Sequence, residues 1–102
     1  VTAPVTAQAA ALRAAAAFLE DAGLAGLCVI AGGDGSLVLA VPDQAGTPER
    51  RTAAVTAIAA MIGAPAPHRT ALAGCAQVAA SGTVAGHPAR VTTWINDKEQ
   101  HA

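Results

Sequence analysis

The sequence predicts an α+β fold: a two-layer sandwich in the order α-β-β-α-β-β, with a four-stranded antiparallel sheet and two helices on one face. Three observations predict it. Helical stripes end at glycines, with Gly23 after the first and Gly63 after the second. Between them, the short apolar runs of "LCVIAGGDGSLVLAVP" (Leu27–Pro42) meet at Asp34-Gly35, a hairpin signal. After the second helix, "CAQVAASGTVAGHPARVTTWIND" alternates apolar with polar on both sides of Gly86-His87 and reads as a second hairpin. With 102 residues the chain makes one domain, residues 1–102, whose ordered part is expected over residues 5–97.

The first helix is expected over Thr6–Ala22, where Ala9, Leu12, Ala16 and Leu19 recur at helical spacing with Phe18 beside them. Pro4 and Thr6 are start signals. In the first hairpin, a two-residue type I′ turn at Asp34-Gly35 pairs Ile30 with Leu39 and Cys28 with Val41. That register puts Val29, Ala31, Val38 and Ala40 together on the other face. Neither face is polar, whereas a surface hairpin normally alternates; both faces should therefore be covered.

Pro42–Gly46 is a turn-rich connector. In "TPERRTAAVTAIAAMIG", Thr47 is the N-cap, Pro48 takes the first helical position and Glu49 complements the dipole. The second helix is expected over Pro48–Ile62, with Val55, Ile58, Ala59 and Ile62 as its buried stripe and Arg50, Arg51, Thr52 and Thr56 outside it. Pro65 and Pro67 make Ala64–Thr70 a semi-extended linker back to the sheet. In the second hairpin Val78, Ala80, Val84, Ala89, Val91 and Ile95 share one face, and Gln77, Ser81, Thr83, Arg90, Thr92 and Trp94 the other. Pro88 beside the turn leaves the register open by one residue, and a slip exchanges the faces. The tail, Lys98–Ala102, is expected to fray.

Composition narrows the function. Hydrophobic residues make up 53% but aromatics 2%, so the core is built of small side chains that each bury little area, and self-association would add to it. Arginines outnumber lysines and alanine dominates, the pattern of high-GC coding. A formal charge of −1 gives no electrostatic footprint for nucleic acid. No apolar run is long enough to span a membrane and no leader is evident, so the expected home is the cytoplasm, with no membrane contact.

Candidate chemistry is sparse. Cys28 and Cys75 lack metal-ligand spacing and read as buried small hydrophobes; a disulfide between them would need adjoining strands and an oxidising compartment. Gly32–Gly35 ("GGDG") is glycine-rich enough to cradle a phosphate, but no helix follows it, and turn chemistry explains it better. Cys75 with His87 would be a nucleophile and base, yet no orienting group or oxyanion motif accompanies them. No catalytic set, cofactor or metal site is therefore expected. Arg50, Arg51, Arg69 and Arg90 are candidates for anion contact; the first two lie where cations oppose the helix dipole. Trp94, with Arg90 and Thr92, either forms a binding spot on the polar face or, if the register slips, packs in the core.

The run "GLAGLCVIAGGDGSLVLAV" (Gly23–Val41), followed by a helix, is similar to the first half of Roadblock/LC7 domains. That resemblance implies a dimer serving small GTPases or dynein, and three further strands plus a closing helix for which this chain looks too short. The whole chain also resembles a class of small alanine-rich proteins of high-GC actinobacteria, through its element order and the late "GHP" at Gly86–Pro88; that likeness carries no function. The reading expected from the residues is a non-catalytic protein-interaction module, a homodimer or the binder of a protein partner through Val29, Ala31, Val38 and Ala40 with Trp94, Arg90 and Thr92. The alternative is a nucleic-acid-binding or regulatory accessory protein using Arg50, Arg51, Arg69, Arg90 and Trp94.

Overall fold

The computed structural model describes residues 3–96, with side chains from Ala7 onward. The elements run α1 (Ala3–Ala22), β1 (Cys28–Ala31), β2 (Leu37–Ala40), a 3-10 turn (Asp43–Ala45), α2 (Pro48–Met61), β3 (His68–Leu72), β4 (Cys75–Val84) and β5 (His87–Asn96). The α+β class is as expected. The sheet, however, has five strands in the order β1-β2-β5-β4-β3, and it is mixed: β2 and β5 are parallel while the other neighbours are antiparallel. The tail at Lys98–Ala102 lies outside the described residues.

The topology follows from one crossover. The chain leaves β2 through the 3-10 turn, passes over the sheet as α2, and is delivered to the far edge as β3. A meander of three strands then walks back until β5 meets β2 from the other side, running the same way. Thr93, wholly buried, fixes that junction by donating its Oγ1 hydrogen to Val41 O at 2.9 Å, and Val41 N donates to Thr92 O at 2.8 Å.

Both helices end by the same chemistry. Gly23 and Gly63 take positive φ, Leu24 N donates to Leu19 O (2.9 Å) and Ala64 N donates to Ala59 O (2.9 Å), which satisfies carbonyls the helices would leave open. At the start of α2, Thr47 Oγ1 accepts from Arg50 N at 3.3 Å with Pro48 in the first turn. Val55, Ile58, Ala59 and Ile62 are buried, as the periodicity predicts.

α1 is rotated from its expected phase. Ala11 and Ala15 enter the core, Ala14 and Phe18 pack against it, and Leu12 is 47% exposed. The larger side chain does not win because methyl groups let the helix lie close to the sheet, where Gln8 Nε2 also reaches Ala31 O at 2.8 Å.

The two helices share one core with Leu37, Leu39, Val41, Val78, Ala80, Val84, Ala89, Val91 and Ile95, so they cover the same face of the sheet. Close approach there needs a glycine. A Cβ at Gly82 would run into the Ile62 carbonyl, which accepts a hydrogen bond from Thr83 N at 2.9 Å.

Three corrections concern the hairpins. In the first, the loop is three residues, Gly33–Gly35, not two. Gly32 N donates to Ser36 O, Gly35 N donates to Gly32 O, and Gly35 alone takes positive φ, +88°. The register therefore moves: Ile30 pairs with Val38, Cys28 with Ala40, Val29 with Leu39 and Ala31 with Leu37. Val29 and Ala31 turn to the helices, while Val38 and Ala40 stay on the opposite face, so the four do not form one surface. In the last hairpin the turn is Ala85-Gly86, both at positive φ, one residue before the expected site; the face assignment holds. Lastly, the segment read as a linker, Ala64–Thr70, ends in the first three residues of β3. The chain thus does supply three strands after α2, against the expectation that it is too short; no helix follows β5 among the described residues.

Candidate functional site

With both helices on one side, no described element covers the other face of the sheet, and the registers place its side chains in rows. One row runs Ile30, Val38, Arg90, Ser81; the next runs Cys28, Ala40, Thr92, Ala79, His68. Beyond these come Trp94, Gln77, Thr70 and then Asn96, Cys75, Leu72. The apolar side chains gather over β1 and β2, the hydroxyls, amide and imidazole over β4 and β3. Ile30, Leu72 and Trp94 are each about half exposed, at 57%, 47% and 45%. These three stand apart in different rows, and Leu12 and Met61 on the helices are as open; the contiguous apolar patch is that of Cys28, Ile30, Val38 and Ala40 over β1 and β2, and contiguity is what marks a contact surface.

Trp94 and Arg90 stand on this face as expected, held by the long ladder between β4 and β5. Thr92 lies between them but is only 1% exposed, and its Oγ1 accepts from Gln77 Nε2 at 3.2 Å. It supports the surface and does not present a group to a partner, because it sits on the central strand with filled rows on every side.

The four arginines are not brought together. Arg50 is exposed at the start of α2, in the helix layer; Arg69 pairs with Val78, so it leaves the sheet on the helix side; Arg90 is on the open face. Arg51 is 1% exposed, contrary to the expectation that it lies outside the α2 stripe. Its Nη1 donates to Gly46 O at 2.8 Å and its Nη2 to Trp94 O at 3.1 Å, tying the entry of α2 to β5. The sequence carried a signal for this: Arg51 is four residues before Val55 and in phase with Ile58 and Ile62.

Arg90 separates two shallow depressions of about 260 and 290 Å³. The first is bordered by Ser36, Val38 and Pro88, the second by Pro65, His68, Thr70 and Ala79, and Ser81 touches both. Asp34, in the first hairpin loop, accepts hydrogen bonds from Ser36 Oγ (2.7 Å) and Ser36 N (3.0 Å), which hold its carboxyl below the usual range. Its carboxylate thus serves the turn, in keeping with the turn reading of "GGDG".

Cys28 is exposed and Cys75 half-buried, against the expectation that both are buried small hydrophobes; both are free thiols, on open-face positions of strands that are not neighbours. Among the described residues no three His, Cys, Asp or Glu side chains gather as a metal site, and no helix is long and apolar enough to cross a membrane. Compared with known proteins, the chain matches no family model, no curated protein and no solved structure.

Proposed function

We propose that the protein is a non-catalytic interaction module that self-associates through the open face of its sheet. The observation that carries this reading is the one-sided placement of α1 and α2, which leaves Ile30, Val38, Ala40 and Trp94 without a covering layer. A second copy suits this face because an isologous contact lays the same patch on both partners, apolar against apolar around a two-fold axis. The alanine-rich core points the same way, since a small core gains most from further burial. The order α-β-β-α-β-β-β, with three strands after α2, also agrees with the Roadblock/LC7 resemblance as far as β5 and supports a dimerising module.

The nucleic-acid reading would need Arg50, Arg51, Arg69 and Arg90 to act together, and no observation favours it. The test is solution mass over a range of protein concentrations, for the native chain and for Val38→Asp. A native dimer that becomes a folded monomer in the variant supports the reading; a native chain that is monomeric throughout contradicts it.

A further inference from the structure

We propose that the depression between β3, β4 and β5 binds a phosphoryl group, held by Arg90 with His68, Thr70 and Ser81. Four donor-bearing side chains from three strands border one hollow of about 290 Å³, and Pro65 and Ala79 complete its wall. The registers spread them over three successive rows of the open face, Arg90 with Ser81 in the first, His68 beside Ala79 in the second and Thr70 beside Gln77 in the third, and the hollow spans all three. All three strands are backbone-fixed by ladders, so the points from which the donors project are set before any ligand arrives, while the exposed side chains themselves turn to meet it.

The chemistry of this set is one-sided. A guanidinium offers five N–H donors and no acceptor, hydroxyls rotate to donate, and an imidazole donates from at least one nitrogen. Among the described residues, no hydrogen bond or ion pair engages Arg90, and no carboxylate stands in the rows of the open face that would neutralise it. A phosphoryl group, with several acceptor oxygens, satisfies such a set better than a carboxylate with two, and Arg matches it in bidentate fashion. The hollow exceeds a bare phosphate, so a phosphate monoester has room for its organic part. Arg90 adjoins Val38 of the patch proposed for self-association, so the site borders that patch on its polar side, but its donors do not require a second copy.

Inorganic phosphate titrated into the full chain, followed by the Arg90 Nε–H and His68 ring signals in NMR, tests this. Saturable shifts are expected, with affinity falling at least about tenfold in Arg90→Gln and binding lost in Thr70→Glu, which places a carboxylate in the hollow. Arg50→Gln, far from the site, should bind as the native chain does. Shifts that stay linear, that acetate or chloride reproduce at matched ionic strength, or that survive Arg90→Gln would mean an adventitious ion only and overturn the proposal.

Discussion

Arg51 shows how one side chain can join two layers. Its guanidinium enters the core between the 3-10 turn and β5 and satisfies the carbonyls of Gly46 and Trp94. Removing it leaves those acceptors and a void, so Arg51→Ala should cost about 2–4 kcal/mol of stability, measured by denaturant unfolding. Lysine should restore it only in part, because one ammonium does not reproduce the two separate nitrogens, Nη1 and Nη2, that a planar guanidinium aims at the two carbonyls. Asp34 supplies a second residue-scale prediction. Because the Ser36 hydroxyl and amide lower its folded pKa below the ordinary 3.8, the loop's stabilisation is present above that value and fades as pH falls through the depressed pKa. In Ser36→Ala the largest of these interactions goes, and the Asp34 carboxyl should titrate at higher pH in an NMR titration, with the backbone bond keeping part of the effect. Arg51's phase with Val55 carried a signal of burial that its charge outweighed in the sequence; its partners left no signal, since Gly46 and Trp94 meet it only through the tertiary fold.

At the scale of elements, legibility tracked how strongly a pattern repeats. The β4–β5 faces were readable because Val78, Ala80, Val91 and Ile95 alternate strictly over ten-residue strands. β1 and β2 have four residues each and no polar side chain to mark a face, so a loop longer by one residue was enough to shift their register. β3 was hidden for a different reason: all five of its residues are exposed, so burial left no periodic trace in the sequence. In α1 the hydrophobicity of Leu12 suggested the wrong stripe, since alanine's value in a core lies in closeness and not in area. Gly82 tests the packing of elements directly. Adding a methyl there must push α2's C-terminus away from β4, so Gly82→Ala should destabilise the fold by about 1–3 kcal/mol in thermal or denaturant unfolding. Ser81→Ala, at the exposed neighbouring residue, should change stability by less than about 0.5 kcal/mol.

For the whole molecule, the decisive feature is asymmetry: one face of the sheet is sealed by two helices and the other carries half-exposed Ile30, Leu72 and Trp94. The apolar character of the first hairpin on both sides predicts a cover on each; α1 and α2 supply one of them, and Val29 and Ala31, expected on the other face, belong to the sealed one. A charge at Val29 should therefore damage folding, whereas a charge at Val38 should damage assembly and leave the fold intact. Circular dichroism and solution mass together separate the two outcomes. The measurement that bears most directly on the account is the mass by light scattering on a sizing column across protein concentrations, comparing the native chain with Val38→Asp. A native mass of twice the chain that halves in the variant, with secondary structure unchanged, is the predicted result. A native chain that remains at 9.9 kDa at every concentration would contradict self-association through the open face.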